Sequence, residues 1–222
     1  KEGWTPPKEN FILNPSTERI IGWIQEALED KVIVAVDIET SGFQEDSHIV
    51  VIGLAKNGED AISIPFFKKG GVPNFTGFAL DKANEWVNKL FATGNLMFQN
   101  ALFDVNYLRS KGYNISYSNV SHDTMLLHHT IVPEQEHNLG YIVSIYGDTP
   151  YWKDDFSERK GTVYEMDDNT LRTYNLRDCV VLHQVLPPML EDLKNRGMEH
   201  IYYGEALPLL GPVGEMMENG IT

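Results

Sequence analysis

Asp37-Ile38-Glu39 places two carboxylates two residues apart, directly after the apolar run Val32–Val36. On a strand, residues two apart point to the same face, so both acids project together. Adjacent carboxylates at the end of an apolar strand repel each other and are costly to desolvate, and a cation answers both problems. Carboxylate oxygens suit Mg²⁺ or Mn²⁺, which keep several waters and leave room for a substrate phosphate. The pair alone is equally compatible with a plain strand end whose acids are solvated. Two further patterns share this double character. In Asn100-Ala101-Leu102-Phe103-Asp104, Asn100 is placed to cap a helix and Asp104 lies one turn on along the same face. An ordinary cap with a favourable first-turn acid explains it as well. In Tyr174-Asn175-Leu176-Arg177-Asp178, a hydroxyl and a carboxylate four residues apart share one helix face, as would a surface tyrosine beside an acid. Tyr164 and Asp168 repeat that spacing, but in an irregular stretch, which argues against them.

The elements that must position these residues follow from pattern. Residues 1 to 15 read as an irregular lead-in, with Asn14-Pro15 as a helix cap and first-turn proline. Ile20, Ile21, Ile24 and Leu28 then mark an amphipathic helix over 16 to 30. Val32–Val36 suits a central strand covered on both faces. Ile49–Ala55 and Ala61–Phe67 are strands joined by the turn signal Asn57-Gly58, so the chain opens with a three-stranded meander. A helix over 79 to 91, a strand over Asn95–Phe98 and a helix over Ala101–Lys111 follow, then helices near Thr124–Thr130 and Leu139–Tyr146. Pro150–Asp168 reads as a long surface loop. A helix over Asn169–Lys194 carries the third pattern, with Pro187-Pro188 expected to break or kink it. This order predicts an α/β fold with a mixed sheet flanked by helices.

With 222 residues the chain is long enough for one full core plus a short extra segment. No apolar run approaches a membrane span and no secretory leader is present, so no membrane association or secretion is expected. A start at Lys1 reads as a piece of a longer protein. The lone Cys179 cannot form an internal disulfide, which fits a reducing compartment. The net charge of −14, from 32 acids against 18 bases, speaks against broad phosphate contact through lysine and arginine. It leaves either a partner that is not a nucleic acid or a small contact assisted by cations at the site.

Taken together, the three patterns resemble the proofreading 3′→5′ exonuclease domains with four acids and a tyrosine, most closely those of family A DNA polymerases of the polymerase I type. The resemblance covers roughly residues 15 to 195. Gln99-Asn100 and Asp123-Thr124-Met125-Leu126 match secondary motifs of that family, and Thr173, where the histidine subclass has its histidine, supports the tyrosine type. The tail Glu205–Leu210 and Glu215–Ile221 is similar to the segment that opens the polymerase domain. The resemblance thus implies a ribonuclease H-like exonuclease domain over 1 to 200, a truncated polymerase start over 201 to 222, and no polymerase activity in this chain.

It further implies hydrolysis with two divalent ions, Mg²⁺ or Mn²⁺, ligated by Asp37, Glu39, Asp104 and Asp178, with Tyr174 and Glu39 orienting the attacking water. Thr40 and Phe43 would contact the terminal nucleotide, and Gln99, Asn100 and Phe103 would line its path. The implied substrate is a single-stranded or frayed DNA 3′ end and the product a nucleoside 5′-monophosphate, released by a monomer covalently linked to a polymerase domain. An RNA-trimming exonuclease of the same superfamily and a non-catalytic spacer domain are the alternatives. A zinc reading of His122, His128, His129 and His137 is set aside because His128 and His129 should face different sides of a helix and the only cysteine is distant. Lys68, Lys69, Lys153, Arg159 and Lys160 read as solvated loop charges.

Overall fold

The structure, a computed structural model, describes residues 8–42, 44, 46–150, 152 and 162–220. Its sheet is built from β1 (Asn10–Ile12), β2 (Ile33–Thr40), β3 (Ile49–Ala55), β4 (Asp60–Pro65), β7 (Asn95–Phe98) and β8 (Val120–Asp123), in the order β1-β4-β3-β2-β7-β8. Two short strands, β5 (Phe67–Lys68) and β6 (Val72–Pro73), form a separate ribbon. β2, β3 and β4 make the expected antiparallel meander, whereas β7 joins β2, and β8 joins β7, in parallel. The Asn57 side chain closes the β3–β4 turn by accepting from the amides of Glu59 and Asp60. The helices are α1 (Thr17–Glu29), α2 (Phe78–Thr93), α3 (Ala101–Ser110), α4 (Thr124–Ile131), α5 (Leu139–Tyr146), α6 (Asp168–Asn195) and α7 (Leu210–Asn219).

The two faces of the sheet differ in kind, and the difference positions the site. On one face Val34, Val36, Ile38, Ile52 and Leu54 pack with Ile20, Ile24, Leu90 and Val105 from α1, α2 and α3. On the other, Ala35, Ala55 and Ala61 form a floor of small side chains against Leu176, Cys179 and Val180 of α6. Alternation along β2 puts Asp37 and Glu39 on the α6 side, in line with Ala35. Gly53, paired with Asp37 in the β2–β3 ladder, deepens that floor: a Cβ there would lie 2.3 Å from Asn175 Oδ1 and 2.9 Å from Cys179 Sγ. The missing side chain lets α6 descend onto the acid-bearing strand.

Several local expectations are corrected. The lead-in is not wholly irregular, because Asn10–Ile12 adds a parallel edge strand to β4. The cap of α1 is Ser16, whose Oγ accepts from the Arg19 amide, while Asn14 turns to Asn169 and Arg172 of α6. α6 runs unbroken through Pro187-Pro188. Burial of Leu182, Val185 and Leu186 before the prolines, and of Met189 and Leu193 after them, outweighs the ~3 kcal/mol that a helix-interior proline costs. After α6 the chain passes through a helical turn (Glu199–Ile201) and a π-helical turn (Tyr202–Ala206). Tyr202 there is fully buried, and α7 packs on α3.

Candidate active site

Three elements deliver the predicted side chains to one place. β2 carries Asp37 and Glu39, α3 carries Asp104, and α6 carries Tyr174 and Asp178 one turn apart. Their electrostatics record the convergence. Burial, then Asp178, Glu39 and Asp104 in turn, hold the Asp37 carboxyl well above the usual carboxylate range. Burial, then Asp123 and Glu39, do the same to Asp104. Burial beside Asp178, Glu39 and Asp37 pushes the Tyr174 phenol up, so it stays a protonated donor, and it hydrogen-bonds to Asp178.

Such a cluster of mutually repelling acids, with Asp104 and Asp178 buried, offers carboxylate oxygens suited to hard divalent cations. Among the described residues no three His, Cys, Asp or Glu side chains already converge as a ready coordination set. The residues fit such ions by donor type and by proximity.

Residues that the sequence reading passed over hold the acids in place. Asn175, one residue from Tyr174, donates through Nδ2 to Asp37 Oδ2 at 2.7 Å and to the Asp37 carbonyl at 3.1 Å. Trp152 is only 4% exposed and donates its indole N–H to Asp178 Oδ1 at 2.8 Å. The expectation of a surface loop over Pro150–Asp168 therefore fails at Trp152, which packs in the core with Leu186 and Met189; residues 151 and 153–161 lie outside the described ones. Gly53 had a readable signal, a glycine inside an apolar strand. Asn175 lay inside the third pattern unremarked, and nothing local marked Trp152.

The second pattern is built differently from expectation. Asn100 sits in the left-handed region (φ 73°) and makes no side-chain cap bond. The cap comes from Asp123, whose carboxylate accepts from the amides of Asn100 (3.2 Å) and Ala101 (2.7 Å). It also caps α4 through Met125 (2.9 Å) and Leu126 (3.1 Å). Tyr202 Oη approaches the Asp123 amide at 3.1 Å, tying the segment after α6 to this double cap.

The predicted substrate contacts are dispersed in character. Thr40 donates its hydroxyl to the Gly42 carbonyl. Gln99 is engaged internally, donating to the His137 carbonyl and accepting from Thr124. Phe103, 37% exposed, stacks on Tyr107 with ring centroids 6.1 Å apart. Phe43 lies outside the described residues. His128 and His129, expected on different sides of α4, both reach His137, at its Nδ1 (2.7 Å) and Nε2 (3.0 Å) respectively. That leaves a chain of contacts instead of one point of convergence.

No family model and no curated protein matches the chain. Solved structures do match it. NrnC of Brucella melitensis is 17% identical with a TM-score of 0.64, over 97% of this chain and 93% of that one. RNase D of Escherichia coli, described as an exoribonuclease involved in structured RNA processing, is 13% identical with a TM-score of 0.65, over 97% of this chain and 52% of that one. The POL domain of Pol1 from M. smegmatis, in complex with a DNA primer-template and dNTP, is 16% identical with a TM-score of 0.65, over 96% of this chain and 32% of that one. What these likenesses share with the chain is the fold, a ribonuclease H-like mixed sheet flanked by helices.

Proposed function

We propose that the chain is a metal-dependent 3′→5′ exonuclease that removes nucleoside 5′-monophosphates from single-stranded or frayed DNA ends. The observation that carries this reading is the convergence of Asp37, Glu39, Asp104 and Asp178 with the Tyr174 hydroxyl from three elements, with the acids raising the proton affinity of Asp37, Asp104 and Tyr174.

Asp37, Glu39, Asp104 and Asp178 would hold two divalent ions, Mg²⁺ or Mn²⁺, which supply charge neutralisation at the phosphate and a water of lowered pKa. The chain's own groups do the positioning. Asn175 holds one oxygen of Asp37 and Trp152 one oxygen of Asp178, so each carboxylate presents its remaining lone pairs in a set direction. Tyr174, kept protonated and hydrogen-bonded to Asp178, would turn its hydroxyl from that carboxylate to an attacking water, and Glu39 would accept from the water. Phe103 over Tyr107 offers a face on which a base can stack without regard to sequence. Asn100, which makes no side-chain cap bond, would offer its amide to the incoming end. Thr40, Phe43 and Gln99 belong to the same proposal as contacts or supports of the terminal nucleotide.

The tail after Glu205, similar to the opening of a polymerase domain, favours DNA and a covalently linked polymerase. The matches to NrnC, which has been seen bound to pGG, and to the exoribonuclease RNase D favour a second reading, RNA or short oligonucleotides as substrate. A monomer in a reducing compartment completes the proposal. The free, buried Cys179 supports the reducing compartment.

The test is Asp37→Ala. The parent chain should shorten 3′ single-stranded DNA in Mg²⁺ or Mn²⁺ and the variant should not, with its far-UV spectrum retained. Undiminished cleavage by the variant refutes the assignment, and parallel RNA oligonucleotides decide between the two substrates.

A further inference from the structure

A cavity of about 570 Å³ opens where β3 begins, between α2 and the C-terminal end of α3. That volume is in the range of small-molecule sites. Five rings face it, from His48, Phe66, Phe67, Phe75 and Tyr113. His48 and Phe67 lie 4.3 Å apart, and Phe66 and Phe75 meet edge to face at 6.5 Å.

Polar groups of an unusual kind complete it. Asn84 spends its Oδ1 on the Tyr113 hydroxyl and Asn88 its Oδ1 on the Asn114 amide, which leaves the amide nitrogens of both as donors. Among the described residues no carboxylate lines the cavity, and Lys111 does, in a chain of net charge −14. Flat aromatic faces with fixed amide donors and a nearby cation form a setting for a nucleobase whose backbone is anionic.

One edge of the cavity adjoins, across the β2–β3 ladder, the segment that follows Glu39. Ile49 at its edge pairs with Thr40, the residue after Glu39, and the His48 amide donates to Ser41 Oγ. Lys111 follows α3 seven residues after Asp104, on the same side and about 10 Å along the axis.

We propose that this cavity seats a nucleobase of the substrate strand, 5′ of the nucleotide held at the acid cluster. The proposal rests on the nuclease reading above. Seating a base here anchors the strand while its end is cut, in a chain whose net charge of −14 disfavours broad phosphate contact.

The experiment uses single-stranded decamers, DNA or RNA according to which the parent chain shortens, each carrying one abasic residue at a successive position 5′ of the terminal nucleotide. One position should raise KM at least about fivefold, roughly 1 kcal/mol at 1.4 kcal/mol per tenfold. That penalty should disappear in Leu80→Trp, which fills the cavity, and in Asn88→Leu, which removes one amide donor. The second variant keeps the test decisive if the first fails to melt cooperatively. Normal shortening with no abasic penalty at any position overturns the proposal, as does a penalty retained in both variants. Failure of the parent chain to shorten any strand is a separate result, which removes the nuclease reading and this proposal with it.

Discussion

Gly53→Ala adds one methyl group at the place where α6 rests on the sheet. The new Cβ would stand 2.3 Å from Asn175 Oδ1, 2.8 Å from its Cγ and 2.9 Å from Cys179 Sγ. Two effects oppose each other. Alanine narrows the unfolded ensemble and stabilises by about 0.4–1 kcal/mol. Overpacking a close-packed core destabilises by about 1–3 kcal/mol, and here the contact involves a buried helix that is not free to retreat. The second effect wins by roughly 1–2 kcal/mol, a fall in Tm of about 2–8 °C for a chain of this size. Cleavage should fall further than stability, by about 10–100-fold, because Asn175 is pushed off the Asp37 carboxylate it orients. Thermal melts and metal-dependent cleavage of a 3′-labelled strand read the two effects. The cycle with Asn175→Ala isolates the cause: in that background the Gly53→Ala penalty should shrink by about 1 kcal/mol, since the closest contact is gone. Equal penalties in both backgrounds, or a Gly53→Ala protein with full stability and activity, would refute the account.

Trp152→Phe keeps an aromatic ring and deletes the indole donor to Asp178; the Mn²⁺ concentration for half-maximal cleavage should rise about 10–100-fold, and an unchanged metal titration would rule the bond irrelevant. In the metal-free protein Asp37 and Asp104 bind protons more tightly folded than unfolded, so their destabilising effect is fully present above the raised folded values and is relieved as pH falls through them toward the unfolded range. Tm without metal should therefore rise from pH 8 toward mildly acidic pH, and the extra Tm conferred by Mg²⁺ should shrink over the same window; a metal-free Tm independent of pH would contradict it. Asp123→Ala strips the acceptor from four backbone amides at two helix starts and should cost at least about 2 kcal/mol in urea unfolding, with a loss under about 0.5 kcal/mol showing that the double cap is not structural.

What could be read along the chain was whatever short-range pattern decides. The meander of β2, β3 and β4 follows from β-branched runs and the Asn57-Gly58 turn, and α5 ends where its apolar spacing ends. Local cap rules misled at both Asn14 and Asn100 for one reason: the groups that satisfy those helix starts depend on three-dimensional competition. Asn14 is claimed by Arg172, 158 residues away, and α3 is capped by Asp123, 22 residues beyond Ala101. The prolines in α6 misled because their cost is set against burial on a sheet that local sequence does not display. At the site, the acids and Tyr174 were readable because their residue types and face-sharing offsets are local. Trp152 and Asn175 were not, because their meaning lies in an atom across space. The small-residue floor of Ala35, Gly53, Ala55 and Ala61 sits between these cases, visible as composition but intelligible only once α6 is seen lying on it.

The left-handed Asn100 gives this chain an evolutionary tension at one backbone position. Asparagine tolerates that conformation better than most residues, yet glycine would adopt it with less strain, and Asp123 already satisfies the neighbouring amides. Selection for thermal robustness alone would thus drift toward glycine at residue 100, whereas under the nuclease function proposed above selection for work at the strand end would hold the amide. Stability and utility part company there at a single side chain, and a library screened for each property separately should diverge first at that residue.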